Sequence, residues 1–385
     1  MNFDLTPEQR DLRDAVSALG RRYGHEYFVA KAKAGQHTTE LWNEAGKLGY
    51  LGVSIPEEHG GGGGGITELA IVCEELAATG APLLLLVVSP AIVATIIARH
   101  GTDAQRDELL PKLADGSLTI AFAITEPEAG SNFHRLATIA RRDGDGWVLS
   151  GRKCFISGVD RADQVLVVAR TADAATGKLA PALFLVPTDA PGLTKSKLDM
   201  EIVSPESQWL LYLDDVRLPA SGLVGGVEAG LPALFAGLNP ERITVAAMSA
   251  GTARYALERA SRYTADRQVW GRPIGTHQGV AHPLAHAAIQ VELARLMVYK
   301  AAALYDAGRD IEAGVAANMA KYATADAAAL AVDTAIQSLG GNGMTTDAGV
   351  ATLLGSVRAA RIAPVSREMI LNFVSQHVLG QEKSY

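Results

Sequence analysis

Apolar positions recur at helical spacing in the first third of the chain, gather into short blocks in the middle, and return to helical spacing toward the end. From Thr6 to about Leu118 the pattern predicts helices. Thr6-Pro7-Glu8-Gln9 has the order of an N-cap, a proline at the first helical position and early acidic residues, and Leu12, Val16 and Leu19 follow on one face. A later helix is predicted through Glu68 to Leu76. The most apolar stretch, Ala81 to Ala98, is interrupted by Ser89-Pro90 and is shorter than the ~20 residues of a membrane span. It predicts a buried helix pair or a helix followed by a loop.

From about Thr119 to Glu228 the blocks are strand-like: Trp147 to Leu149, Gln164 to Ala169 and Ala182 to Val186 are β-rich and bounded by turn residues. Asp143-Gly144-Asp145-Gly146 has hairpin-turn composition. Strands at this spacing, with no helices between them, predict a barrel or sandwich. From about Leu231 to Leu379 alanine-rich helices return. Asn239-Pro240-Glu241 reads as a second N-cap, and Ile243, Ala246, Ala247, Ala250, Ala253, Leu257 and Ala260 mark an apolar stripe of small residues. The fold class is therefore α+β, in three regions: residues 1–118 helical, 119–228 β, and 229–385 helical.

Composition narrows the function. The net charge of −7 comes without a long basic run, so there is no electrostatic footprint for nucleic acid. Two cysteines, Cys73 and Cys154, make no disulfide framework and suit a reducing compartment. His282 and His286 have the spacing of zinc ligands on one helix face but no third ligand motif beside them, so no metal is expected. The N-terminus lacks the basic and apolar regions of a secretory signal, which predicts a soluble, cytoplasmic protein with no membrane partner. Gly60 to Gly65 satisfies a dinucleotide-binding pattern only because six glycines match any such pattern; with no βαβ unit around it, it reads as a flexible loop.

Four segments carry a resemblance. They are Ala123-Ile124-Thr125-Glu126-Pro127-Glu128-Ala129-Gly130-Ser131-Asn132, Gly151 to Ser157, Asp266 to Ile274 with Gln278, and Gln337-Ser338-Leu339-Gly340-Gly341-Asn342-Gly343. In this order and at these separations the chain resembles the acyl-CoA dehydrogenase family over nearly its whole length. The resemblance implies a helical domain, a β domain and a four-helix bundle, with FAD as cofactor. It implies that Thr125 and Ser131 line the flavin and the acyl-CoA entrance, and that Phe155, Ile156 and Ser157 lie beside the flavin ring. Arg267, Trp270 and Gln278, together with Gln337, Gly340 and Gly341, match segments that hold the FAD pyrophosphate of a neighbouring subunit; locally they read as a surface arginine and a helix-ending glycine pair. A homotetramer is implied.

The chain departs from the commonest family pattern at one place. Where I-Y-E-G-T carries the catalytic glutamate, it reads Ile362-Ala363-Pro364-Val365-Ser366. The resemblance then moves the base to Glu241, as in isovaleryl- and long-chain-type members, with Arg242 contacting the CoA portion. Taken locally, Glu241 is an acid in a helix's first turn. Ser366 and Glu368 match positions near the flavin, and Glu368 is the lesser candidate for the base. Pro364 has no N–H to polarise the thioester carbonyl, so Ala363 or Val365 would have to substitute. The implied function is FAD-dependent α,β-dehydrogenation of an acyl-CoA, with electrons passed to an electron-transferring flavoprotein. The rivals are a flavin oxidase or monooxygenase on the same scaffold, and a silent subunit that completes a partner's flavin site.

Overall fold

The computed structural model describes residues 4–172, 177–226 and 229–383, so the expected boundary at 228 lies outside the described residues. Helix α1 (Pro7–Lys33) starts as its sequence dictates: Gln9 N–H donates to the Thr6 hydroxyl, and Thr6 N–H donates back to the Gln9 side chain. Val16 and Leu19 are buried beneath it, with α2 (Thr39–Lys47) and α3 (Ile66–Ala78) alongside.

The glycine run between α2 and α3 is an ordered turn, contrary to the flexible loop expected. The N–H groups of Gly61, Gly62, Gly63 and Gly64 donate to the carbonyls of Pro56, Gly52, Ile55 and Val53. A Cβ on Gly61 would sit 2.0 Å from the Ile55 carbonyl oxygen, so close backbone packing explains the glycine there.

The apolar stretch is one continuous buried segment, not a pair. It runs through α4 (Leu84–Leu86), a π-helical passage (Val87–Ala94) and α5 (Thr95–His100), followed by α6 (Asp103–Asp115). Pro90 within it has no N–H and crowds the carbonyl four residues back, which accounts for the widened turns. The buried Ser89 hydroxyl accepts from Ile120 N–H at 3.2 Å and joins this segment to the β domain.

The middle region is one seven-stranded sheet of β1 (Ile120–Ala123), β2 (Ile139–Asp143), β3 (Gly146–Ser157), β4 (Gln164–Ala172), β5 (Leu179–Pro187), β6 (Leu193–Leu198) and β7 (Gln208–Leu218). The strand order is β1-β4-β2-β3-β7-β6, with β5 on β4, and β1 runs parallel to β4. Asp143 pairs with Gly146 across a two-residue turn, as the composition predicts.

The last region has three long helices, α7 (Gly230–Asp266), α8 (Gln278–Asp306) and α9 (Asp310–Leu339). A hairpin of β8 (Gln268–Val269) and β9 (Arg272–Pro273) joins the first two. The shorter α10 (Leu354–Ala359) and α11 (Arg367–His377) pack on α9. Here the sequence expectation needs correction: Asn239-Pro240-Glu241 is not a cap, because α7 begins well before it and Pro240 lies inside the helix. Pro240 cannot donate to the Ala236 carbonyl, but the Tyr305 hydroxyl does so at 2.9 Å, and this substitute from α8 lets the helix continue. The alanine stripe is buried as expected. At Gly251, α7 approaches α3 so closely that a Cβ would lie 2.1 Å from the Glu74 carbonyl.

Candidate active site

The middle domain supplies one wall. Between Lys153 and Ile156, β3 carries one more residue than β7 opposite, a bulge that turns Phe155 outward. Phe155 holds a φ of 57° and is 59% exposed. An exposed aromatic in left-handed backbone marks a position kept for something other than packing. Ile156 instead points into the sheet's core, so only its backbone faces the wall. The Ser157 hydroxyl pairs with the Gln208 side chain at 2.9–3.1 Å, a partner the sequence did not suggest.

Thr125 lies beside this bulge, its carbonyl accepting from Cys154 N–H at 2.9 Å. The loop that follows is anchored by a buried ion pair. Lys153 Nζ donates to Glu126 at 2.7 Å, and Glu126 also accepts from the N–H groups of Ala137 and Thr138. Burial pushes the Lys153 ammonium down to about 8 while Glu126 resists. Ser131 sits exposed on that loop, and Phe133 just beyond meets Phe235 of α7 edge-on, with ring centroids 6.2 Å apart.

Glu241 lies on α7 where α9 packs along it. Its carboxylate accepts no hydrogen bond from the described residues. Burial pushes it up to about 7, opposed by the charges of Arg242 and Lys321. Arg242 donates to the Leu238 carbonyl at 3.2 Å and to the Asn239 side chain at 3.1 Å, while its buried Nε has no partner. Lys321, on α9, is only 1% exposed and donates to the Val365 carbonyl. Burial, with Arg242 next, pushes its ammonium down to about 8. Sequence reading missed it because a lysine in a charged, alanine-rich helix looks solvated. The available signal was its register, four residues after the buried Ala317 and eight after Ala313.

The loop replacing the usual glutamate lies at the same end. The Ala363 N–H is spent on the Ala359 carbonyl at 2.9 Å, and Pro364 has none. The Ser366 hydroxyl caps α11 by accepting from Met369 N–H at 3.3 Å. Glu368 is exposed in that helix's first turn, a setting unlike that of Glu241. Ser366 and Glu368 share a cavity of about 220 Å³ with Arg358, Arg361 and Arg367. Asp326 lies 2.8 Å from Arg361 and 3.2 Å from Arg367.

The remaining candidates gather at the opposite end of α7. Arg267, Trp270 and Gln278 flank the β8–β9 hairpin, and Gln337, Gly340 and Gly341 end α9. Asn342 donates to the Tyr263 hydroxyl at 2.9 Å, and the Tyr263 carbonyl accepts from Arg267 N–H at 2.8 Å, so the two segments form one surface. All six residues are exposed, and the Arg267 side chain has no partner among the described residues. Trp270 is 87% exposed at a φ of 53°, and a Cβ on Gly340 or Gly341 would meet nothing. An open cavity of about 590 Å³ lies beside the hairpin, lined by Leu257, Thr264, Pro273 and Leu284 among others. From Glu241 to Arg267 the helix rises about 39 Å at 1.5 Å per residue.

Among the described residues no three His, Cys, Asp or Glu side chains gather as a metal site, and no helix is long and apolar enough to cross a membrane. His282 and His286 are both exposed, and both cysteines are buried and unpaired.

Comparison with known proteins agrees with this architecture. Family models for the acyl-CoA dehydrogenase N-terminal, middle and C-terminal domains match residues 6–117, 121–215 and 228–379. The chain is 59% identical over 384 residues to the acyl-CoA dehydrogenase FadE12 of Mycobacterium tuberculosis (strain ATCC 25618 / H37Rv), covering 100% of this chain and 99% of that protein. The structure of butyryl-CoA dehydrogenase from Megasphaera elsdenii matches with a TM-score of 0.91 at 29% identity, over 99% of this chain and 100% of that one. A glutaryl-CoA dehydrogenase from Mycobacterium smegmatis, in complex with FADH2, matches with a TM-score of 0.90 at 27% identity, over 99% and 97%.

Proposed function

The chain belongs to the acyl-CoA dehydrogenase family, and from that premise we propose that it introduces an α,β double bond into an acyl-CoA thioester with Glu241 as the base. The observation that carries this reading is the Glu241 carboxylate, raised to about 7 by burial and engaged in no hydrogen bond among the described residues. A thioester α-proton is weakly acidic, and a base is most effective when its pKa lies near the working pH. Arg242 and Lys321 keep the half-buried carboxylate ionisable, and the orphaned Arg242 Nε offers a donor to the anionic CoA portion. Glu368 stands exposed in the first turn of α11.

The residues present fit FAD. Phe155 is held outward in left-handed backbone beside Thr125 and near Ser157, and Arg267 is a cation with no partner among the described residues, next to glycines open to a phosphate. Held by these residues, FAD would supply the hydride-accepting chemistry for the β-hydrogen. The chain's own part is to orient the acyl group against Glu241, exclude water and hold the α-proton on the Glu241 carboxylate.

The two ends of α7 are further apart than one FAD reaches. Arg267, Trp270, Gln278, Gln337, Gly340 and Gly341 therefore serve the FAD of a neighbouring copy, and the working assembly is a homo-oligomer, most simply a tetramer. Electrons leave to an electron-transferring flavoprotein. Anaerobic titration of the yellow protein with a panel of acyl-CoAs tests the reading. One or more should bleach the flavin, and reoxidation should be slow in air and fast with an electron-transferring flavoprotein. No bleaching by any acyl-CoA overturns it, and rapid reoxidation by oxygen points to an oxidase.

A further inference from the structure

Removing a proton beside a thioester carbonyl puts negative charge on its oxygen, and a fast site aims a donor there. The loop next to Glu241 has few donors left. Pro364 has no N–H, and that of Ala363 is spent on Ala359. The Val365 N–H meets no acceptor among the described residues. The Val365 carbonyl is gripped by Lys321, which is almost fully buried and whose Nζ makes no other hydrogen bond among the described residues. The Ser366 N–H shares a peptide unit with that carbonyl, and in a trans unit it points away from Lys321.

We infer that the Val365 N–H donates to the thioester oxygen in place of residue 364, and that Lys321 is the positioning residue that holds it there through the Val365 carbonyl. This rests on the acyl-thioester reading above. Clamp and base are neighbours: the charges of Arg242, Asp326, Glu241 and Glu368 all act on the Lys321 ammonium, and Lys321 acts in turn on Glu241. The clamp reaches from α9, a long helix packed against α7, so the replacement donor is tied to the helix facing the base. A proline at 364 is then tolerated because the neighbouring N–H takes over its work.

The test is the isotope-edited infrared carbonyl stretch of a 13C-carbonyl 2-enoyl-CoA bound to the FAD-loaded enzyme. In the parent it should move to lower frequency than in solution. Val365→Pro removes the N–H and should lose most of that shift. Flavin reduction by acyl-CoA should fall roughly 100-fold, with enoyl-CoA affinity within about threefold. Val365→Ala keeps the N–H and should keep the shift. Lys321→Met should lose it, and Lys321→Arg, which can still grip the carbonyl, should restore it. If Val365→Pro does not fold, a shift that survives Lys321→Met by itself overturns the inference. A shift that survives both Val365→Pro and Lys321→Met overturns the inference. A shift lost in Lys321→Met but kept in Val365→Pro also overturns it, making the ammonium itself the donor. If the parent fails to bind enoyl-CoA at all, the acyl-thioester reading has failed, which is a separate result.

Discussion

Helices α7 and α9 carry two functional ends that differ in kind. At one end Lys321 is buried and Glu241 and Arg242 are half-buried, and burial moves the Glu241 carboxyl and the Lys321 ammonium toward neutrality, to about 7 and about 8. At the other end Arg267, Trp270, Gln278, Gln337, Gly340 and Gly341 stand in water, and Trp270 holds a strained backbone while its ring meets His277 edge-on and is otherwise 87% exposed. Enclosure suits proton transfer, since a dry carboxylate is a tuned base. Exposure suits recognition, since an unpaired arginine and open glycines await a charged partner. On the function proposed above, the first end carries the chemistry and the second serves another copy.

The largest expected effect comes from removing the base. Glu241→Gln keeps size and helix but not basicity, so stopped-flow flavin reduction should fall at least ~100-fold while FAD stays bound. Glu368→Gln should reduce flavin near the parent rate. The reverse pattern would move the chemistry to the exposed carboxylate and dissolve the contrast.

Next comes the far end. Arg267→Ala should weaken FAD retention about 10- to 100-fold, read by flavin fluorescence during dilution, because a charge-assisted phosphate contact is lost. The sharper version mixes the two impaired variants at limiting FAD. Hybrids of Glu241→Gln and Arg267→Ala chains should recover activity, since some sites then draw an intact base from one copy and an intact arginine from another. Failure of hybrids that demonstrably form would place both residues in one copy's site.

Most of the architecture was legible because local rules and burial agreed: the Thr6 capping box, the alanine stripe on α7 and the Asp143 to Gly146 turn all formed as their residues require. The misreadings share one cause, that a distant partner overrode a local signal. Asn239-Pro240 has the order of a helix start, but Tyr305 from another helix satisfies the carbonyl that Pro240 cannot. The glycine run has the composition of a loose loop, but four carbonyls upstream hold it. The candidate site was legible where the chain matches a motif. It was not legible where partners are contributed from elsewhere in the fold, as with Lys321 and Gln208.

The enclosed end should also show itself in pH dependence. The folded carboxyl of Glu241 is raised from its ordinary 4.5 to about 7. Its contribution is fully present below the unfolded value and is lost as pH rises through about 7, because the unfolded chain ionises first. Glu241→Gln lacks this loss, so the variant should gain about 1–3 kcal/mol over the parent between about pH 5 and pH 8 in urea denaturation. The parent's flavin-reduction rate should climb through about pH 7 over the same range. A stability difference flat with pH would mean that the carboxyl is not enclosed.

The smallest effect belongs to Trp270. Replacing it with glycine relieves the left-handed strain, worth about 1–2 kcal/mol. It also loosens the unfolded chain by about 0.4–1 kcal/mol, and removes an edge-on contact with His277 worth about 0.5–1.5 kcal/mol. These terms nearly cancel, and the side chain buries almost nothing in its own chain. Trp270→Gly should therefore change stability by less than about 0.5 kcal/mol in urea denaturation of the isolated chain. FAD retention or assembly, followed by flavin fluorescence and analytical ultracentrifugation, should nonetheless weaken several-fold. A stability loss well above 1 kcal/mol with retention and assembly intact would make Trp270 a structural residue of its own hairpin, and the exposed end would lose its best evidence of a partner.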